Sequence, residues 1–161
     1  MDESPACRLR RSLLRGATGL PLLTLLGGGL LVPHRVLAAD WNRAAFTARN
    51  LSDALRAYGA ATATDTRDIA INAPEIAENG AKVEVEISSR LADTRNLAVF
   101  AEKNPMPLCA TLDFAEGVLP YVRIQLKLAE STRLRVVART GDGRNHVAWR
   151  EVKVTLGGCG A

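Results

Sequence analysis

Two periods of hydrophobic placement divide the chain. Over residues 40–58, Trp41, Ala45, Ala48, Leu51, Leu55 and Tyr58 recur at three- and four-residue steps, the spacing of one face of an α-helix. A single amphipathic helix is expected there, stopped by Gly59 where a left-handed cap is wanted. Residues 60–66 are small and polar and read as a connector. The period then drops to two. Val83, Val85 and Ile87 alternate with Lys82, Glu84, Glu86 and Ser88, and Val122, Ile124, Leu126 and Leu128 alternate with Arg123, Gln125 and Lys127. Alternation of this kind belongs to half-buried strands.

Weaker strand signals cover 68–72, 96–101, 110–115, 133–139 and 147–156. In the last run the alternation slips between Trp149 and Val152, which suggests a β-bulge. Turn chemistry separates the runs at Glu78-Asn79-Gly80, at Lys103-Asn104-Pro105 with Pro107, at Glu116-Gly117 and at Gly141-Asp142-Gly143. About seven short strands with no helices between them point to an all-β domain: an immunoglobulin-like antiparallel β-sandwich, preceded by one N-terminal α-helix and followed by a Gly-rich C-terminal arm expected to be flexible. No internal repeat is visible.

Charge changes this picture only at the N-terminus. The formal charge is +4, but Arg8, Arg10, Arg11, Arg15 and Arg35 precede residue 39 against Asp2 and Glu3 alone, so the remainder carries +1. A chain so close to neutral has no electrostatic footprint for nucleic acid. The N-terminal order is basic, then apolar from Leu20 to Val32, then Val36-Leu37-Ala38, as in a secretory signal. Arg10-Arg11-Ser12-Leu13-Leu14 is similar to a twin-arginine signal, although Leu9 stands where Ser or Thr is usual. The expected organisation is a signal peptide over 1–38 cleaved after Ala38, a helix-plus-sandwich domain over 39–156, and an arm over 157–161. The expected location is the periplasm, with no membrane segment in the mature form, because the apolar run is too short and glycine-rich to span a bilayer stably.

Catalytic signatures are scarce. The histidines are His34, inside the signal, and His146, which follows a Gly-rich turn and reads as a solvated loop residue. Neither a histidine cluster for a metal nor a Ser-His-Asp arrangement can be assembled, so no catalytic residue, cofactor or metal is expected. Gly141-Asp142-Gly143 lacks the helix start that a phosphate loop requires. Glu84 and Glu86 lie two apart on one strand and face solvent together.

Of three cysteines, Cys7 falls in the signal, leaving Cys109 and Cys159. Two cysteines in an oxidising compartment commonly form a disulfide. Cys159, however, sits in Gly157-Gly158-Cys159-Gly160-Ala161, where neighbours without side chains cannot bury or shield it. Three residues beyond Leu156 extend roughly 10 Å, enough to enter a narrow crevice of another protein. With no histidine or helix N-terminus nearby and a terminal carboxylate two residues on, its pKa is expected at or above the reference of about 8.5. Such a thiol is a poor catalyst and a good handle, activated in a partner's site.

The tail Val152-Lys153-Val154-Thr155-Leu156-Gly157-Gly158-Cys159-Gly160-Ala161, the segment Ala73-Pro74-Glu75-Ile76-Ala77-Glu78-Asn79-Gly80-Ala81, and Glu102-Lys103-Asn104-Pro105 with Pro107-Leu108 together resemble the SoxY family of thiosulfate-oxidation carriers. The resemblance covers essentially the whole chain after the signal, and the tail is its most specific part. It implies an immunoglobulin-like sandwich that pairs with a SoxZ-like subunit as a heterodimer. It also implies that Cys159 takes up thiosulfate as a cysteine S-thiosulfonate through the haem-containing SoxAX, with the SoxB hydrolase and the SoxCD sulfane dehydrogenase acting on the bound sulfur. Gly157, Gly158 and Gly160 would form the swinging arm. Two departures stand out: Ala161 replaces the usual final Gly, and Cys109 is an additional cysteine, read as a buried small hydrophobe at a strand start. The competing readings are a structural or adhesive secreted sandwich with a Cys109–Cys159 disulfide, and a homodimer clasped through Cys159.

Overall fold

A computed structural model describes residues 41–156. The periodic helical stretch forms two helices, not one: α1, Arg43–Thr47, and α2, Leu51–Tyr58. Ala48 is extended (φ −60°, ψ 138°), and an asparagine starts each helix. Asn42 Oδ1 accepts from Ala45 N at 3.1 Å, and Asn50 Oδ1 accepts from Asp53 N at 2.9 Å. A side-chain oxygen that satisfies an orphan amide favours a new helix start over continuation, so Asn50 divides the expected helix. Gly59 caps α2 as expected, at φ 83°, with Gly59 N donating to Arg56 O and Ala60 N to Leu55 O.

Nine strands follow. They are β1 Thr64–Asp65, β2 Ile69–Asn72, β3 Ile76–Asn79, β4 Val83–Ser89, β5 Thr94–Ala101, β6 Leu108–Asp113, β7 Tyr121–Leu126, β8 Thr132–Thr140 and β9 Asn145–Leu156. β2-β4-β7 form one sheet, and β1-β9-β8-β5-β6 with β3 beside β9 form the other. The sandwich is immunoglobulin-like, as expected, with two corrections. The count is nine because β1 and β3 are short, largely exposed edge pieces without an apolar alternation to reveal them. They also pair parallel to β9, so the larger sheet is not purely antiparallel. The chain runs beside β9 as β1, crosses to the smaller sheet as β2, and returns to β9 as β3.

The expected bulge in β9 is absent. Its register with β8 runs unbroken from Thr132 opposite Val152 to Arg139 opposite Asn145. The slip in hydrophobic pattern has another cause: the larger sheet is covered on both faces. Ala148, Val152 and Val154 belong to the sandwich core with Leu97, Val99, Leu134 and Val136. Val147 faces the opposite layer with Ala98, Phe100 and Val137, against Ala45, Ala54 and Tyr58 of the helices. The register shifts lie elsewhere: one at Cys109 of β6, between Leu108 opposite Phe100 and Ala110 opposite Val99, and one at Arg95 of β5, between Thr94 opposite Thr140 and Asn96 opposite Arg139. Burying each branched core side chain contributes about 1.5–3 kcal/mol, which makes the two-sided sheet the rigid body of the molecule.

Glu84 and Glu86 occupy the solvent face of β4, where both meet Arg123 of β7, Glu84 Oε1 lying 3.5 Å from its Nε. Hydrogen bonds from Asn72 and then Arg123 hold the Glu86 carboxyl below its ordinary value.

Candidate functional site

The predicted attachment residue Cys159 and the arm residues Gly157, Gly158 and Gly160 lie outside the described residues. The described structure ends on the platform from which they leave, the last four residues of β9. Lys153 N donates to Glu75 O at 2.9 Å, and β3 then runs alongside with Ile76 opposite Lys153, Ala77 opposite Val154 and Asn79 opposite Leu156. Thr155 Oγ1 donates to Glu78 O at 2.9 Å. On the other side, Ser131 Oγ accepts from Val154 N at 2.9 Å. Gly80 N donates to Leu156 O at 2.7 Å, and Leu128 N donates to Gly80 O at 2.7 Å. The segment preceding Cys159 is therefore held through Leu156 by main-chain and hydroxyl bonds from both flanks, while the Leu156 side chain stays 62% exposed.

The three segments that carry the family resemblance are far apart in sequence and meet at this end of the sandwich. Residues 73–81 supply β3 and Gly80. Asn104, in the β5–β6 loop, donates through Nδ2 to Lys127 O at 2.8 Å and accepts from Ala129 N at 2.9 Å, fixing the stretch that bonds Gly80. Glu102 receives Arg135 Nε at 3.0 Å and Nη2 at 2.8 Å, which pins the start of that loop. Asn79-Gly80, read from sequence as a turn, thus also clamps the exit of β9. Thr155, Ser131 and Asn104 escaped the sequence reading as positioning residues. Of these, Asn104 and Thr155 lie inside stretches that carry the resemblance, Glu102–Pro105 and the tail, whereas Ser131 had no signal.

Cys109 departs from its expected place as a buried residue. It is the second residue of β6, half-buried, and it packs against the sandwich core while lining an open groove of about 440 Å³ with Trp41, Asn104, Met106 and Lys127. The pairing of β6 with β5 skips Cys109, with Leu108 opposite Phe100 and Ala110 opposite Val99, and this bulge on an edge strand leaves its side chain at the sandwich margin. Its thiol donates to Pro107 O at 3.4 Å and receives Asn104 Nδ2 at 3.8 Å. His146 is also corrected: it lies within β9, half-buried and opposite Ala138 and Thr64, not in a loop. Among the described residues no group of three or more His, Cys, Asp or Glu is placed to hold a metal ion.

The sandwich thus grips its last strand up to Leu156, three residues before the glycine-flanked Cys159 in the sequence. The family model for sulfur oxidation protein SoxY matches residues 54–159, a span that includes Cys159, and the chain belongs to that family of sulfur carriers. Among solved structures, the sulfur carrier protein SoxY from Chlorobium limicola f thiosulfatophilum is similar at 36% identity and a TM-score of 0.61, over 68% of this chain and 96% of that one. A superoxide reductase (neelaredoxin) from Ignicoccus hospitalis aligns at 22% identity and a TM-score of 0.48, over 53% of this chain and 78% of that one, and nothing about chemistry follows from it. No curated protein sequence matches.

Proposed function

We propose that this chain is a periplasmic carrier that holds thiosulfate-derived sulfur covalently on Cys159 and presents it to the enzymes of thiosulfate oxidation. It is a covalent substrate carrier and not itself a catalyst. Gly157, Gly158 and Gly160 serve as the arm between the β9 platform and the cargo. A SoxZ-like sandwich is its structural partner. In loading, the Cys159 thiol and thiosulfate would join through a new S–S bond to give the S-thiosulfonate, releasing one proton and two electrons, the electrons passing one at a time to the haem-containing SoxAX. SoxB then hydrolyses the terminal sulfonate, and SoxCD oxidises the remaining sulfane sulfur. Residues 1–38 direct export, with the twin-arginine-like pair allowing the folded carrier to cross together with its partner.

The observation that carries this reading is the convergence of the family-resembling segments on the exit of β9, together with a family match that continues through Cys159. The test is intact-mass analysis of the protein recovered from thiosulfate-oxidising host cells, beside its Cys159→Ser variant. The expected result is the mass of one S-thiosulfonate or its descendants on the C-terminal peptide of the wild type, absent from the variant, with thiosulfate consumption lost. Undiminished consumption by cells holding only the variant would overturn the proposal. Fractionation of the same cells tests the location: the protein is expected in the periplasmic fraction and shortened at its N-terminus.

A further inference from the structure

We propose that Asn79-Gly80 is a self-modifying site: the clamp at the exit of β9 keeps it intact, and opening of that clamp commits it to deamidation. The inference goes beyond the carrier reading and does not depend on what Cys159 holds.

Asn79-Gly80 is the only Asn-Gly pair in the chain. Deamidation requires the main-chain nitrogen of the following residue to reach the side-chain carbonyl carbon of the asparagine. Glycine leaves that approach open because it has no Cβ and its backbone turns freely. Asn79 is exposed, so water is at hand, while Gly80 is buried. In the first step Gly80 N gives up its proton and bonds to Cγ of Asn79. The bond from Cγ to Nδ2 breaks, and Nδ2 takes up a proton and leaves as ammonia. The product is a five-membered succinimide. One water then opens the ring at either carbonyl. Addition at Cγ gives an aspartate, and addition at the main-chain carbonyl gives an isoaspartate, whose chain continues through the former side chain. One water is consumed and one ammonia released, with no oxidant or reductant.

Each group that must move is held by the clamp. Gly80 N, the attacking atom, donates to Leu156 O at 2.7 Å, and Gly80 O accepts from Leu128 N at 2.7 Å. Asn79 Oδ1, which must turn with Cγ towards Gly80 N, accepts from Ala81 N at 2.8 Å. Asn79 itself stands opposite Leu156 in the parallel pairing of β3 with β9. An amide proton held on an acceptor is not surrendered to solvent, so the nucleophile forms only while the Gly80–Leu156 bond is broken.

The two products treat the platform differently. Aspartate keeps the main-chain length and an oxygen for Ala81 N, so the clamp closes again. Isoaspartate inserts one carbon into the main chain, about 1.5 Å of added path. Gly80 then cannot meet Leu156 O and Leu128 N together within the hydrogen-bonding range of about 2.7–3.2 Å. The modified fraction therefore records how long the exit of β9 has spent open, and its isoaspartate part leaves the exit permanently loosened.

The test incubates the full chain at mildly alkaline pH, folded in buffer and unfolded in urea, and follows the mass and retention of the peptide containing Asn79 against aspartyl and isoaspartyl standards. In urea Asn79 is expected to be modified faster than any other asparagine of the chain. In the folded chain the rate is expected to be lower by about tenfold or more. Val152→Ala, which removes buried methyl groups directly before the platform, is expected to raise the folded rate several-fold and leave the urea rate unchanged. Thr155→Val removes the hydroxyl bond to Glu78 O from an exposed position and is expected to act in the same direction, which keeps the test open if Val152→Ala does not fold. Exchange of the Gly80 amide should rise in step with the modification in either variant. Asn79→Asp should exchange like the wild type, and chains bearing isoaspartate should exchange faster at Gly80. Equal rates in buffer and urea, an Asn79 no faster than other asparagines in urea, or faster Gly80 exchange without faster modification would overturn the proposal, and each leaves the carrier reading untouched.

Discussion

The two ends of β9 are secured by different physics. At the hairpin end, charged and amide side chains do the holding. Asp142 accepts from Thr140 Oγ1 at 2.5 Å and from Arg144 N at 3.1 Å, and faces Arg144 Nε at 2.5 Å. Arg139 lies over the Tyr58 ring, donates through Nη2 to Tyr58 O at 2.8 Å and through Nε to Asn145 Oδ1 at 3.1 Å, while Asn145 Nδ2 reaches Gly59 O at 2.8 Å. These bonds fasten the helices to the sheet. At the exit end, main-chain groups and hydroxyls bond, and Val152 is fully buried beneath them. The hydrogen bonds described for residues 153–156 join main-chain groups and the hydroxyls of Ser131 and Thr155. The hydrogen bonds at the exit of β9 are thereby insulated from pH and salt, whereas those of the helix layer, which depend on Arg139, are not.

The largest break in this comparison comes from Val152→Ala. Loss of two buried methyl groups, with incomplete closure of the cavity, is expected to cost about 2–3 kcal/mol in urea unfolding. The amides of 153–156 should exchange faster with solvent, because the core anchor of the platform lies directly before them. Unchanged stability would mean that the ladder with β3 alone holds the exit.

Arg139→Lys separates the other end. The ammonium cannot reproduce the two-pronged donation to Tyr58 O and Asn145 Oδ1 or the planar stacking on the ring, so about 1–2 kcal/mol is expected to be lost. Hydrogen exchange should rise in α2 and stay as it was at 153–156. Equal acceleration at both places would erase the distinction between the ends.

The sandwich was legible in sequence because its smaller sheet and the centre of its larger one alternate cleanly, as in β4 and β7, and because Gly59 and Gly143 mark their reversals with positive φ. What was hidden came from two-sided burial. A strand covered on both faces loses its period, so Val147 and Val152 imitate a bulge although each faces a real core. The break at Ala48 was obscured because Ala45, Ala48, Leu51, Leu55 and Tyr58 of the periodic set all pack against the sheet, although Trp41 before α1 stays exposed, and only Asn50 betrays the new start. At the site, Cys159 was conspicuous from its glycine neighbours, but the clamp around Leu156 depends on contacts between residues some 77 apart, such as Thr155 with Glu78, and no local pattern announces them. The half-exposure of Cys109 was equally a matter of where β6 ends up, at the margin of the sheet.

The smallest effect expected is also the most specific to the hairpin end. The hydrogen bond from Thr140, then the amide and guanidinium of Arg144, hold the Asp142 carboxyl down at about 2 from an ordinary 3.8. A depressed carboxylate stabilises the fold wherever it is ionised in the folded chain. Its contribution is complete above pH 3.8 and disappears as pH falls through about 2. The group is fully exposed, so the consequence is local: the 140–144 turn loosens, while Gly80, Leu128 and Leu156, joined by main-chain bonds, do not respond. A carboxyl-carbon NMR titration of Asp142 should give a midpoint near 2, with amide shifts moving at Arg144 and remaining still at Leu156. Asp142→Asn should abolish the transition at any pH. A midpoint at 3.8, or a Leu156 amide that titrates in step, would show that the two ends of the strand are coupled and that the platform is not insulated from charge.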